Sequence, residues 1–108
     1  MNTRRKMYKS NSIIKKQLLL KGYTNLYLFP HLRFTKDYHL AGCSFDAFGF
    51  YNKQVWFMQF KTKTKASKSE MEKYKLIEDI TNCRCAWIYV IKRKAYIQTT
   101  SKASGELL

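Results

Sequence analysis

The side chains best suited to chemistry lie within the stretch FDAFGFYNKQVWFMQFKTK, residues 45–63. Its one acid is Asp46, and the next acid along the chain is Glu70. Gln59 and Lys61 follow in the second half, and they share a face if this half is a strand, because strand side chains alternate. Pairing across a hairpin would bring Asp46 near both of them. A carboxylate, an amide oxygen and an ammonium group would then meet at one end of a sheet.

This combination of groups is typical of sites that bind a hard divalent cation and hydrolyse a phosphodiester. Mg²⁺ prefers oxygen ligands, and Asp46, the Gln59 amide and the backbone carbonyl of Phe60 could supply them. Lys61 could orient or help deprotonate a water molecule, or hold the attacked phosphate. Asp46, Gln59 and Lys61 are therefore the candidate catalytic residues, and Mg²⁺ or Mn²⁺ is the expected cofactor. The alternative is structural: Asp46 caps a turn or pairs with Lys61.

The charge balance of the chain predicts a polyanionic partner. Lys and Arg number 21 against 7 Asp and Glu, which gives a formal net charge of +14 over 108 residues. Such an excess destabilises the folded state through self-repulsion, so it usually accompanies an anionic partner. Nucleic acid is the first candidate. An anionic membrane surface and an acidic protein are the alternatives.

Neither a membrane span nor a signal peptide is predicted. No apolar run approaches the roughly 18 residues of a span, and no apolar segment with a cleavage site follows the basic N-terminus. We therefore expect a cytoplasmic protein. The odd number of cysteines (Cys43, Cys83 and Cys85) favours buried thiols over a disulfide framework. His31 and His39 lack neighbours at ligand spacing, so a phosphate or DNA contact is favoured over a metal.

Two helices are predicted to flank the strands. Residues 3–21 alternate apolar and basic side chains at spacings of three and four, which predicts an amphipathic helix that Gly22 ends. The second helix has a capping box from Ser67 or Ser69, each with a Glu three residues on, and Asn82 closes it. The apolar positions of these helices are Met7, Ile13, Ile14, Leu18 and Leu20 in the first and Met71, Tyr74, Ile77 and Ile80 in the second.

Five strands complete the predicted order αβββαββ in one layer-packed domain over residues 1–108. Alternating or β-prone runs place the strands at residues 25–29, 44–51, 54–62, 85–91 and 94–100. Pro30 should end the first strand and open a polar loop to residue 43. Asn52-Lys53 and Lys92-Arg93 should form tight hairpin turns. The tail from Ser101 onward is small and polar, and we expect it to fray.

The hairpin and its neighbours resemble the PD-(D/E)xK nuclease superfamily, whose motif is an aspartate, a strand hairpin and then (E/Q)-x-K. Here the motif reads Asp46 followed by QFK at residues 59–61. The order of elements over residues 4–99 most resembles the archaeal Holliday junction resolvases. As in that family, the chain begins with a basic helix that ends in Gly before an aromatic residue (KGYTNLYLF). Arg33 then follows the next strand, and the hairpin, a helix and a Trp-containing strand (CAWIYVIKRKAY) come after it.

The resemblance implies an α/β (α+β) fold with a restriction-endonuclease-like core, in which helices flank a central mixed β-sheet. It implies a metal-dependent endonuclease that cuts branched or junction DNA as a homodimer, with the strand AWIYVI or the second helix supplying the interface. By this resemblance Asp46 and Gln59 would ligate metal with the Phe60 carbonyl, and Lys61 would be the catalytic lysine. The residues expected to bind nucleic acid are Arg4, Arg5, Lys6, Lys9, Arg33, Lys36, Lys63, Lys65 and Lys68.

The chain departs from the family pattern at two of its acids. The resolvases carry a glutamate in the first helix, whereas residues 1–36 contain no acid. Gln59 is neutral, so Asp46 supplies the site's charge unless Asp37 joins it. Weaker metal binding follows, because carboxylate charge sets much of the affinity. The alternative function is therefore a non-catalytic nucleic-acid-binding protein, either a degenerate nuclease fold or a small RNA-binding domain that stacks bases on exposed aromatic rings.

Overall fold

The computed structural model describes the backbone of residues 3–33 and 44–108 and the side chains of residues 11–27 and 44–108. The predictions for Lys36, Asp37, His39 and Cys43 therefore lie outside the described residues. The elements, in chain order, are α1 (Thr3–Lys21), β1 (Thr24–Arg33), β2 (Ser44–Tyr51), β3 (Gln54–Thr62), α2 (Lys68–Thr81), β4 (Arg84–Ile91), β5 (Lys94–Thr99) and β6 (Glu106–Leu107). All seven predicted elements are present in that order, and β6 is an addition.

The strands of the described chain form one mixed sheet in the order β1-β2-β3-β4-β5-β6. Neighbouring strands run antiparallel except β3 and β4, which are parallel because α2 connects them as a crossover. The helices lie on opposite faces. α1 packs against β3, β4 and β5, while α2 packs against β4. This is the α+β, restriction-endonuclease-like arrangement that the sequence predicted.

The helix α1 buries Ile14 and Leu18, one turn apart, against the sheet. It ends in a Schellman motif: Tyr23 N–H donates to the Leu18 carbonyl, and Gly22 adopts φ +111°. Leu20 was predicted on the apolar face but is 72% exposed, because a residue two positions from Leu18 lies far round the helix. Neither helix of the described chain is long and apolar enough to span a membrane.

The strand β1 is longer than predicted, because it continues through Pro30 to Arg33. Proline lacks an N–H for the ladder, yet it is tolerated in edge strands and at bulges. β1 is the edge of the sheet, and its register against β2 shifts between Leu28 and Leu32. The irregularity brackets the proline, so the prediction that Pro30 ends the strand was wrong.

Both predicted hairpin turns are present. Asn52 and Lys53 have φ of 53° and 63°, and Lys92 and Arg93 have φ of 49° and 65°. Two consecutive left-handed residues are the signature of the type I′ turn, whose twist matches that of the flanking strands. β2 and β3 therefore pair directly, with Phe50 opposite Val55 and Phe48 opposite Phe57.

The second helix begins and ends as predicted, but its apolar face is shorter. Ser67 caps it in a reciprocal box with Glu70, and Asn82 closes it in the left-handed region. Met71, Tyr74 and Ile77 are buried, as predicted, whereas Ile80 is 63% exposed. Steps of three residues turn the helix by about 300° each, so after three steps a side chain points about 180° away from the first.

The C-terminal tail is not frayed, contrary to the prediction. β6 pairs with β5, and Leu108 N–H donates to the Ala95 carbonyl at 2.9 Å. Gly105 at φ +87° allows the turn, and Gln98 Nε2 donates to the Ala103 carbonyl at 2.8 Å. A short segment of small residues thus gains order from partners on β5.

The strand AWIYVI does not offer a free surface for a second subunit. It forms most of β4, which lies between β3 and β5, and residues 85–90 are all buried. The suggestion that this strand supplies a two-fold interface was therefore wrong. Leu76 and Ile80 are exposed and four residues apart on α2, and the suggestion that the second helix supplies an interface stays a prediction.

Candidate active site

The strand β3 divides its side chains between the two faces of the sheet. Met58 and Phe60 enter the apolar core under α1. Gln59 and Lys61 face the α2 side, where Gln59 is buried at 7% exposure and Lys61 is exposed. The predicted shared face of Gln59 and Lys61 is therefore confirmed by the alternation of the strand.

A small cavity of about 80 Å³ lies between this part of the sheet and α2. It is lined by Ser44, Gln59, Lys61, Glu70, Lys73, Tyr74 and Trp87. Ser44 Oγ donates to Gln59 Oε1 at 3.5 Å, a long hydrogen bond that leaves the amide directed toward the cavity. Residues that carry an amide, a carboxylate and ammonium groups thus line one small polar space.

Asp46 lies at an irregularity of β2. Phe45 packs in the core under α2, whereas Ala47, two positions on, packs in the core under α1. On a regular strand these two side chains would share a face, so the chain departs from regular alternation around Asp46. Such distortions re-aim side chains and are common beside active sites.

The carboxylate of Asp46 contacts the backbone of the motif rather than its side chains. Its Oδ2 accepts a hydrogen bond from the Phe60 N–H at 2.9 Å, between Gln59 and Lys61 in the chain. Asp46 does not line the cavity. Across residues 11–27 and 44–108 the ion pairs join Arg84 to Glu78 and Lys102 to Glu106, so the suggested pair of Asp46 with Lys61 is not formed.

Lys61 is positioned by an aromatic ring of β4. Its Nζ lies 5.7 Å from the centroid of the Trp87 ring, within the range of a cation–π contact. The Trp87 indole N–H donates to the Thr64 carbonyl at 2.7 Å. Trp87 therefore links the predicted catalytic lysine to the Lys/Ser loop, residues 63–67, which follows β3.

The Lys/Ser loop is held in place at both ends. Lys63 N–H donates to the Val90 carbonyl at 3.0 Å. At the other end Gln98, buried in β5, accepts from Ala66 N–H at 2.8 Å through Oε1. A loop that is already ordered loses less entropy when it binds a ligand.

The basic residues predicted to bind DNA differ in how much of them the structure describes. Lys63 begins the Lys/Ser loop and Lys68 follows it, and both are exposed. Lys65, within the loop, donates from Nζ to the Ser104 carbonyl at 3.0 Å. The backbone of Arg33 pairs with Ser44, which places it at the cavity end of the sheet. The side chains outside the described residues are those of Arg4, Arg5, Lys6, Lys9, His31, Arg33 and Lys36.

Tyr89 lies next to Lys61 across the β3–β4 ladder. Burial, and after it the neighbouring Tyr96, raises the pKa of Tyr89. The phenol is therefore neutral at physiological pH.

The oxygen donors present suit a hard cation in kind but carry little charge. Within the described residues, no three or more His, Cys, Asp or Glu side chains gather as a metal-binding group. Asp46 has one carboxylate oxygen beyond the one bound to Phe60, and Gln59 offers an amide oxygen. These donors fit Mg²⁺ or Mn²⁺, which commonly retain waters or take substrate phosphates as further ligands.

Sequence reasoning missed the contribution of α2 to this cavity. Glu70, Lys73 and Tyr74 are three and four positions apart, so they share one face of the helix. Glu70 was interpreted only as part of a capping box. A crossover helix between parallel strands packs back on the sheet, and this rule, applied to the face that carries Gln59, would have pointed to Glu70.

Comparison with known proteins supports the fold. The structure is similar to that of Archaeoglobus fulgidus Hjc, a Holliday junction resolvase from an archaeal hyperthermophile, with a TM-score of 0.58. The two sequences are 9% identical, and the match covers 87% of this chain and 77% of that one. No protein-family model and no curated protein matches the sequence. The similarity establishes a distant relationship of fold.

Proposed function

We propose that the protein is a metal-dependent endonuclease that cuts branched or junction DNA. The observation that carries the proposal is the arrangement around β3: Gln59 and Lys61 face one cavity, and Asp46, which does not line that cavity, binds the backbone between them. This arrangement lies in a fold similar to that of a Holliday junction resolvase. The +14 net charge suits a polyanionic substrate.

The side chains would divide the work of phosphodiester hydrolysis among them. Asp46, the Gln59 amide and the Phe60 carbonyl would hold Mg²⁺ or Mn²⁺, which when bound acts as a Lewis acid on the phosphate. Lys61 would place its ammonium group on the attacked phosphate or orient the attacking water. Trp87 beneath it limits the orientations of the lysine, so less entropy is lost when the phosphate binds.

The basic residues around the cavity would hold the DNA backbone. Lys63 and Lys68 are exposed at the two ends of the Lys/Ser loop that follows Lys61, and Arg33 ends the strand beside Ser44. Contacts of this kind fix position without reading bases, as expected of an enzyme that selects DNA by shape. A homodimer would present two such sites to a four-way junction, and Leu76 with Ile80 on α2 would supply its apolar contact.

The test of this function is Asp46→Asn, assayed beside the parent on four-way junctions, duplexes and single strands with Mg²⁺ or Mn²⁺. Asparagine keeps an oxygen that can accept from Phe60 N–H, so the free energy of unfolding should change by only about 1 kcal/mol. Cleavage should fall by at least about 100-fold, because even outer-shell changes at metal sites cost roughly 10- to 100-fold. A parent that cuts none of these substrates, or a variant that cuts equally well, would overturn the proposal.

A non-catalytic nucleic-acid-binding protein is the second candidate function. The observation that favours it is that Asp46 already accepts a backbone hydrogen bond, while Gln59 beside it is neutral. In that case the carboxylate serves only the fold. The same assay separates the two functions, because a binder retains DNA in a gel without cutting it, and Asp46→Asn leaves its affinity unchanged.

A further inference from the structure

Three aromatic rings lie together on the first two strands of the sheet. Tyr27 of β1 stacks on Phe48 of β2 with ring centroids 4.9 Å apart, and Phe48 meets Phe50 edge to face at 6.4 Å. Tyr27 is 54% exposed, Phe50 is 38% exposed and Phe48 is half-buried. These three residues are named the aromatic row. Contiguous exposed apolar surface marks interaction sites, whereas scattered single side chains need no such explanation.

The aromatic row lies on the face of the sheet that α2 covers in part. Phe48 pairs with Phe57 across the β2–β3 ladder, and Phe57 packs against the core under α2. Directly opposed residues of neighbouring strands share a face. The helix α2 packs on β4, which two strands separate from β1. The core thus holds the inner end of the row, while Tyr27 lies at the open edge of the sheet.

The charge around the aromatic row favours an anionic partner over a second copy of the chain. Residues 1–62, which include β1, β2 and β3, carry 11 Lys and Arg and 2 Asp. Lys53 is exposed in the turn after β2, three residues beyond Phe50. Two copies that met through these strands would bring their basic residues together, and this repulsion opposes self-association.

The aromatic row and the polar cavity lie on the same face of one hairpin. Ser44 lines the cavity, and Phe48 follows it four residues later on β2. Four residues correspond to about 13 Å along a strand, at about 3.3 Å per residue. About four nucleotides span this distance at the roughly 3.4 Å spacing of a stacked strand. A short single strand can therefore contact the row and the cavity at once.

We propose that the aromatic row is a stacking platform for the unpaired bases of a single-stranded nucleic acid. Every base has an aromatic face, so rings of this kind bind a strand without reading its sequence. Exposed lysines such as Lys53 hold the phosphates on either side. The inference goes beyond the proposed function and does not depend on it, because stacking needs neither a cation nor cleavage.

The test is Tyr27→Leu, titrated without divalent cations against oligothymidine of about 12 nucleotides and followed by fluorescence anisotropy. Leucine keeps an apolar side chain but removes the ring. Affinity should fall by about fivefold or more, because the stacking of one base is lost. The slope of affinity against salt should stay the same, because no charge is removed. Tyr27→Phe keeps the ring and should bind within about twofold of the parent.

Two controls separate stacking from charge and from the general effect of a lost tyrosine. The parent should bind an abasic strand of the same length at least about fivefold more weakly than oligothymidine. Tyr96→Leu is the matched variant: Tyr96 stacks on Tyr89 with centroids 5.4 Å apart, but it lies on β5, across the sheet from β1. Its affinity for oligothymidine should stay within about twofold of the parent.

Oligouridine is titrated in parallel, because stacking does not distinguish the two sugars. Tyr27→Leu should weaken binding of whichever strand the parent binds more tightly. The inference is overturned if Tyr27→Leu binds both strands as tightly as the parent, or if Tyr96→Leu loses as much affinity. It is also overturned if the parent binds the abasic strand equally well. Sedimentation tests the other occupant: a parent dimer that Tyr27→Leu converts to a monomer would make the row a contact between copies and overturn the platform.

Discussion

The two faces of the sheet are built from the same strands but differ in composition. The face under α1 is an apolar core, in which Ile14, Leu18 and Met58 are fully buried. The face under α2 also has a core, around Phe45 and Ile77, but it opens at one end into the polar cavity. One layer of the protein is thus sealed, and the other contains a space lined by charged groups.

This difference follows from the alternation of β3. Met58 and Phe60 face α1, and their neighbours Gln59 and Lys61 face α2, so this part of the strand contributes to the core and to the site at once. If the division holds, changes on the α2 face should alter cleavage more than stability. Changes on the α1 face should alter stability alone.

The largest effect on this division is expected from Lys61→Met. The ammonium group is exposed, so its loss should change the free energy of unfolding by less than about 0.5 kcal/mol. Cleavage of junction DNA should fall by roughly 10²- to 10⁴-fold, the range for a lost proton-transfer or phosphate-positioning group. Single-turnover cutting rates and urea unfolding measure the two quantities.

The matched control for this change is Lys75→Met, which removes the same charge from an exposed position on α2. It should lower DNA affinity slightly through the lost charge and leave the cutting rate of bound DNA unchanged. Equal cutting rates in the two variants would show that Lys61 has no role beyond its charge.

The second-largest effect is expected on the α1 face, where the free energy of unfolding should depend on pH. Tyr23 is 4% exposed and stacks on Tyr51 with ring centroids 4.3 Å apart. Burial, then Tyr51 and Glu106, raises the pKa of Tyr23 to about 12. The folded state therefore holds the phenol proton more tightly than the unfolded chain does, and the protonated phenol contributes to the free energy of unfolding. This contribution is complete below pH 10 and is lost as the pH rises from about 10 to about 12.

Tyr23→Phe should remove this part of the pH dependence. Between pH 9 and pH 12 the free energy of unfolding of the parent should fall by up to roughly 2–3 kcal/mol more than that of the variant, since one pKa unit corresponds to about 1.4 kcal/mol. Urea unfolding of both proteins across this range measures the difference, and lysine titration cancels because it is common to both. Parallel stability curves would contradict the tight burial of Tyr23.

Local patterns predicted the elements that local forces determine. The bounds of β2 and β3 follow from alternation and from the Asn52-Lys53 turn, and the start of α2 follows from the Ser67–Glu70 box. The shared face of Gln59 and Lys61 was predictable for the same reason. Each of these signals lies within a few residues of the feature that it specifies.

The features that depend on distant partners could not be predicted in this way. Pro30 is tolerated because β1 is an edge strand, and β6 is ordered because β5 lies beside it. The irregularity at Asp46 cannot be recognised from the alternation of apolar and polar residues along a strand. Glu70 reaches the cavity through the crossover of α2, so its place depends on tertiary packing rather than on spacing.

The smallest effect, about 1 kcal/mol, comes from Trp87→Phe and tests whether the two faces are independent. Phenylalanine keeps a ring under Lys61 but loses the N–H that donates to the Thr64 carbonyl at 2.7 Å. Cutting should slow by a few fold, because the Lys/Ser loop is then held less firmly. Trp56→Phe is the counterpart on the α1 face, where the indole N–H donates to the Tyr51 carbonyl at 3.2 Å. Trp56→Phe should lower the free energy of unfolding by a similar amount, measured by urea unfolding, and leave the cutting rate unchanged. Equal slowing of cutting in both variants would show that the two faces are coupled.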